Sequence, residues 1–313
     1  MISFTTLGQY GQLGNQLFQY AFLRTTARRL GVKFFCPEWV GDKIFLLRDE
    51  AERSRVLGPT EHVYHQPLAN GGFVDSALRI GDGTEIIGYF QAERYFDRAS
   101  VTRWYTFRPD VVRAVQRKYQ HIDLAQSLGI HLRFGDMKDH PLFVILPRRY
   151  YARALAKVSH RQHVLVFSDE PAAAKEHLRG LSEDFLYVED NENFEDLYLM
   201  TRCRDFICSV STFSWWGAWL NDQADKTVVA PLDGLRPGSP VRSPDFCCQG
   251  WVPLDTMRFI LDGYRFVVWK QERRAAFLAW KQEWKRRFAR ARQRNLRENL
   301  TSLRKFVRYK LGV

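Results

Sequence analysis

Between Leu128 and Ala230 short apolar runs alternate with helical patterns, and that alternation restricts the fold of this chain more than any other feature. Leu128–Leu132, His163–Phe167, Phe185–Val188, Asp205–Ser209 and Thr227–Ala230 read as strands. Pro147–Val158, Ala172–Leu181, Phe194–Cys203 and a segment opening at Trp215 read as helices. Strands that are apolar throughout are covered on both faces, and a helix between successive strands is the crossover that a parallel sheet requires. The N-terminal stretch follows the same scheme. A strand over residues 2–7 leads into a glycine-rich turn from Gly8 to Gly14. A helix from Asn15 to Leu30 follows, with Leu17, Tyr20, Ala21, Leu23 and Ala27 on its apolar side, then a stop at Gly31 and a strand over Val32–Phe35. Residues 48–83 carry turn signals at Pro59, Pro67, Gly71–Gly72 and Gly81–Gly83 and read as loop. Glu85–Phe90 reads as a strand, with helices from about Arg94 and over 110–121. The chain is expected to divide into α/β units over 1–124 and 125–265, followed by a tail over 266–313.

Of the 313 residues 45% are apolar and 14% aromatic, enough for a large core, which excludes wholesale disorder. No run approaches the ~20 apolar residues of a spanning helix, and no basic then apolar leader opens the chain. The five cysteines, Cys36, Cys203, Cys208, Cys247 and Cys248, lack paired C-x-x-C spacing, so neither a disulfide framework nor a zinc site is expected. A cytoplasmic protein with reduced thiols is the expectation. The net charge of +12 is local: Lys270–Lys310 holds 15 Lys/Arg against 3 Asp/Glu, leaving the body neutral. In that tail Phe277, Trp280, Trp284 and Phe288 recur at helical spacing, with Arg and Lys opposite. A basic amphipathic helix of this kind either packs its aromatic face on the body or lies on an anionic membrane surface. Nucleic-acid binding would rest on charge alone, without a reading motif, and is the weakest of the three.

Four segments carry polar chemistry. Gly11–Gln16 places a glycine turn and the amides of Asn15 and Gln16 at a helix start, where free N–H groups suit an anion or a sugar hydroxyl; a purely structural turn fits equally. His131, Arg133 and Asp136 emerge at the C-terminal end of a strand, where ligands bind in open α/β sheets, and Arg133 can grip a phosphate with two N–H groups. The alternative there is a buried histidine beside a surface Arg–Asp pair. Asp169, after the next strand, can accept from a base or ribose, or Ser168 or Asp169 can cap the helix that Pro171 opens. Ser211, Thr212 and Ser214 cluster at a further helix start suited to a diphosphate, while Trp215, Trp216 and Trp219 read as core. No H-E-x-x-H, P-loop or G-x-S-x-G pattern occurs, and His62 and His65 read as surface loop residues.

Taken in order, Gly11-Gln12-Leu13-Gly14-Asn15-Gln16-Leu17-Phe18-Gln19-Tyr20-Ala21, Gly88-Tyr89-Phe90-Gln91, Val166-Phe167-Ser168-Asp169 and Phe194–Asn221 resemble the bacterial α-1,2-fucosyltransferases of glycosyltransferase family eleven, over residues 1 to about 253. The resemblance implies a GT-B architecture: two Rossmann-like domains facing a cleft, here with a basic C-terminal helix added. It implies a GDP-β-L-fucose donor, no metal or other cofactor, and inversion at the anomeric carbon. The acceptor would be an oligosaccharide or lipid-linked glycan, met at the inner face of the membrane. Arg133 would contact the diphosphate, and His131 and Asp169 the nucleoside. Ser211, Thr212 and Ser214 would hold phosphate oxygens, and Gly14, Asn15 and Gln16 would close the cleft. Asp136 is the candidate general base by position, with holding Arg133 as its other role. Two positions depart from the family pattern: Phe134 stands where the family has a second arginine, and Val210 where it has asparagine.

Overall fold

The computed structural model describes residues 1–9, 11–67, 72–138, 140, 142–159, 161–182, 184–232, 234–235, 245–256, 278–279, 282–283 and 286. Its first part runs β1 (Ile2–Ser3), α1 (Leu13–Leu30), β2 (Phe34–Phe35), α2 (Gly41–Ile44), β3 (His62–His65), β4 (Thr84–Ile87), α3 (Arg98–Trp104) and α4 (Pro109–Lys118). The second runs β5 (Ser127–Leu132), α5 (Arg148–Leu155), β6 (His163–Ser168), α6 (Pro171–Leu178), β7 (Phe185–Tyr187), α7 (Asn193–Arg202), β8 (Asp205–Ile207), α8 (Thr212–Trp219), β9 (Val228–Pro231) and β10 (Val252–Leu254). Two sheets result, ordered β2-β1-β4-β3 and β10-β9-β8-β5-β6-β7, with every strand pairing parallel. The apolar runs have the cause inferred for them: every residue of β5 and of β9 is buried.

Local chemistry sets the helix ends. Gly31, at φ 68°, closes α1 by returning its N–H to the Ala27 and Arg28 carbonyls, a geometry that favours glycine. Pro109 and Pro171 occupy first turns, where a missing N–H costs nothing. Asp97 caps α3 by accepting from Ser100 N, and Glu192 and Glu195 form a reciprocal capping box on α7.

The structure corrects several expected elements. The strand over 2–7 stops at Ser3, because Thr5 turns its N–H and hydroxyl onto the carboxylate of Glu85, 1% exposed on β4, which the Ser3 hydroxyl also reaches. The strand over 85–90 ends at Ile87, ahead of Phe90 at φ 54°. The helix from Arg94 is a single tight turn, Glu93–Tyr95, followed by α3. Within the loop-rich 48–83 lies β3, so His62 and His65 are exposed residues of an edge strand rather than of a loop. A further strand, β10, follows β9. The five cysteines are free thiols. Of the basic tail, Leu278, Ala279, Gln282, Glu283 and Arg286 are helical; Phe277, Trp280, Trp284 and Phe288 lie outside the described residues.

The main core is shared between the two sheets. Trp215, Trp216 and Trp219 of α8 are all buried, and they pack against α1 rather than only their own sheet. Phe18 lies 4.6 Å from Trp215 and 4.8 Å from Trp216, and Phe96 stacks on Trp216 at 5.6 Å. Aromatic rings of this size bring large apolar area to one contact, so α8 ties the second sheet to the first.

Candidate active site

In the second sheet the chain steps from β5 to β6 and β7 on one side and returns to β8, β9 and β10 on the other. The order therefore reverses between β5 and β8, and in parallel α/β sheets the crevice outside the strand ends opens at such a reversal. His131 near the end of β5 and Ser209 just beyond β8 bridge this point, Nδ1 to Oγ at 2.6 Å. His131 is 4% exposed, and burial, aided by the Arg133 charge, pushes its pKa down to about 3. The imidazole is thus a neutral brace under the site.

Arg133 follows directly, with its side chain 17% exposed. Its Nε and Nη2 donate to Asp136 Oδ1 at 3.0 and 2.9 Å, and its Nη1 meets Asp169 Oδ2 at 3.1 Å. The other Asp169 oxygen accepts from Phe134 N at 3.0 Å. A Cβ at Gly135 would sit 2.5 Å from Asp169 Oδ2, so the missing side chain lets that carboxylate close in. Two carboxylates from two strand ends hold one guanidinium, which restricts where its remaining N–H groups can point. Asp169 does not cap α6, whose N-cap is Glu170; Ser168 Oγ accepts from Glu170 N instead. Phe134 is buried 5.6 Å from His177, facing the core and not the crevice.

The starts of α1 and α8 meet near His131, whose ring lies 5.9 Å from that of Phe213 on α8. Thr212 Oγ1 and Gln91 Nε2 both donate to Asn15 Oδ1, at 3.0 and 2.9 Å. Trp216 Nε1 donates to the Gly14 carbonyl at 3.0 Å. A Cβ on Gly14 would lie 2.5 Å from Phe213 N, so only glycine admits this approach. Neither helix has an acidic residue in its first turn, so the positive ends of both dipoles converge without a counter-charge from those turns. Gln16 Nε2 donates to the Gly11 carbonyl at 3.2 Å.

The three hydroxyls at the α8 start are each engaged within the protein. Ser211 caps the helix by accepting from Phe213 N, and Thr212 holds Asn15. Ser214 is 0% exposed, donating to the Ser209 and Ser211 carbonyls, which places it behind the helix start rather than in the crevice. Ser209 and Gln91 were not singled out from sequence. Each gains its role from a partner 78 or 76 residues away, which local spacing does not reveal. A cavity of about 410 Å³ lies apart from the cluster, between Tyr119, Ile122, Lys175 and β7, and none of these site residues lines it. Among the described residues no group of three His, Cys, Asp or Glu is placed to hold a metal, and no helix is long and apolar enough to cross a membrane.

The neutral His131 has a measurable consequence. Between its ordinary value of 6.5 and about 3, the unfolded chain takes up a proton that the folded protein refuses, so this residue's contribution to stability is lost as pH falls through that window. Asp196, whose carboxyl burial raises to about 6, acts in the opposite sense, so the useful comparison is between proteins that share it. Urea titrations from pH 7 to pH 4 should give a shallower acid-side loss for His131→Asn than for the parent. Equal slopes would mean that His131 is not held neutral.

The geometry defines a class first: an α/β protein of two parallel sheets with an arginine held by two carboxylates at the strand-order reversal. The crystal structure of POFUT1 in its apo form shares this fold, with a TM-score of 0.50 at 13% identity, covering 73% of this chain and 97% of that one. Residues 86–237 match the family model for Glycosyl transferase family 11. It is 30% identical over 171 residues to the Escherichia coli O-antigen biosynthesis glycosyltransferase WbnK, covering 49% of this chain and 56% of that one. It is 29% identical over 185 residues to an Escherichia coli alpha-1,2-colitosyltransferase, covering 55% and 62%. Galactoside 2-alpha-L-fucosyltransferase SEC1 of Bos taurus matches at 25% over 263 residues, covering 76% and 69%. The match thus spans less than two thirds of the two Escherichia coli relatives.

Proposed function

We propose that this protein is an inverting glycosyltransferase that moves L-fucose from GDP-β-L-fucose to a hydroxyl, galactose O2, of a surface glycan. The observation that carries the reading is Arg133, held by Asp136 and Asp169 at the end of β5, with His131 two residues before it lying 5.9 Å from Phe213 in the first turn of α8, where α8 meets the start of α1. In this reading residues 125–265 bind the GDP-sugar and residues 1–124 face the acceptor, as the two Rossmann-like halves of a GT-B enzyme. The bond between fucose C1 and the β-phosphate oxygen breaks while the acceptor oxygen attacks C1 from the opposite face. The charge that develops on the departing GDP falls to Arg133 and the N-terminal end of α8, positioned before reaction. No metal is assigned a role.

The acceptor proton goes to Asp136. Both contacts to Arg133 fall on its Oδ1, and the residue is exposed, which leaves Oδ2 for the hydroxyl. Asp136→Asn is expected to lower transfer by about 10²- to 10⁴-fold while GDP affinity stays within about threefold. Comparable loss of GDP affinity would make Asp136 a holder of Arg133 and not the base.

The acceptor is read as an oligosaccharide or lipid-linked glycan at the cytoplasmic face of a membrane, with residues 270–310 on the anionic surface. Flotation with anionic vesicles should retain the full chain and lose a chain ending at Gly263; equal flotation would reject the tail as anchor. A colitosyl donor is the second reading, favoured by the similarity to the alpha-1,2-colitosyltransferase. Product analysis after parallel transfer assays with fucosyl and colitosyl donors separates the two.

A further inference from the structure

Phe90 is fully buried and adopts φ 54°, a left-handed conformation that bulky side chains rarely take. Such a turn persists only where its surroundings hold it from several sides. Gln66 supplies the polar part of that hold. Its Oε1 accepts from two successive backbone groups, Tyr89 N at 2.9 Å and Phe90 N at 2.8 Å. Gly88 makes room, since a Cβ there would lie 2.6 Å from Gln66 Cβ. The Phe90 ring then stacks on Phe22 of α1 at 3.8 Å and 6°. The residue after the turn is Gln91, whose Nε2 donates to Asn15 Oδ1 beside Thr212. A continuous path therefore runs from Gln66 through the strained turn to Gln91, Asn15 and the start of α8.

We propose that Gln66 is a positioning residue for transfer: by fixing the Phe90 turn it sets Gln91, and through Gln91 it sets Asn15 against the α8 start. It touches none of the residues assigned to GDP, and it acts from the acceptor side of the crevice. The inference rests on the transferase reading above. Its signature is a loss in kcat without a matching loss in GDP affinity, because the nucleotide contacts assigned to Arg133 are untouched.

The test measures kcat and calorimetric GDP affinity for the parent, Gln66→Met, Gln66→Glu, Gln91→Met, Asn15→Ala and the Gln66→Met/Asn15→Ala pair. Gln66→Met should lower kcat by about tenfold or more with the Kd for GDP within about twofold. Gln66→Glu keeps an oxygen that can accept from both N–H groups and should recover most of the rate. Gln91→Met, which leaves the turn itself intact, should lower kcat as Gln66→Met does, and keeps the test decisive if Gln66→Met fails to fold. In the Asn15→Ala background Gln66→Met should add no further loss. Full activity of Gln91→Met, losses that multiply in the double variant, or a Gln66→Glu as slow as Gln66→Met would each overturn the proposal. Failure of the parent protein to bind GDP would strike the functional reading instead.

Discussion

Arg133→Ala should weaken GDP binding by about 30- to 1000-fold and carry turnover down with it. The range corresponds to the roughly 2–4 kcal/mol lost when one side of a desolvated, charge-assisted contact is removed. Arg133 is the cation that Asp136 and Asp169 both hold, and Phe134 directs its ring at His177 and the core. Two carboxylates left without their guanidinium would also face the diphosphate with negative charge, which compounds the loss. Stability should fall as well, since Asp169, 22% exposed, loses its guanidinium partner, whereas the exposed Asp136 contributes little. Titration calorimetry with GDP reads the effect directly. An unchanged Kd would remove Arg133 from the diphosphate site.

Gly14→Ala is expected to destabilise the protein through a clash with backbone that cannot move aside. The added Cβ would lie 2.5 Å from Phe213 N and 2.7 Å from both the Thr212 carbonyl carbon and its Oγ1. Two of these are backbone atoms at the first turn of α8, which cannot swing aside as the end of a side chain can. The helix starts must separate, straining the Trp216–Gly14 hydrogen bond and the Thr212–Asn15 contact together. Overpacking of this kind costs about 1–3 kcal/mol. Here it also loosens Phe18 from Trp215 and Trp216, so a cost at the upper end is expected, read as a lower urea midpoint with m unchanged. A midpoint equal to the parent's would mean that α1 and α8 do not meet as closely as described.

The parts of the fold legible in the sequence were those set by local pattern. β5 and β9 stand out because they are largely apolar and buried along their whole length, and Gly31, Pro109 and Pro171 mark helix ends through their own backbone limits. The failures have long-range causes. β1 is cut short by the Glu85 carboxylate, a partner 80 residues from Thr5. β3 was hidden because an exposed edge strand needs no apolar alternation. The site followed the same division. Arg133, Asp136 and Asp169 were identifiable from their places at strand ends and do converge. Of the hydroxyls expected to meet phosphate, Ser214 is buried and Thr212 donates to Asn15, whereas Ser211 only accepts from Phe213 N, which leaves its O–H to donate. His131 likewise proved to be a buried brace, because its partner Ser209 comes from a different strand end.

The central claim is that the crevice between the ends of β5 and β8 takes a guanine nucleotide sugar. Calorimetric titration of the full chain with GDP-β-L-fucose, beside GDP and UDP-galactose and with EDTA present, tests it most directly. Saturable binding of GDP-β-L-fucose and GDP, with UDP-galactose silent, is the predicted result. Absence of nucleotide binding, or equal binding of UDP-galactose, would contradict it.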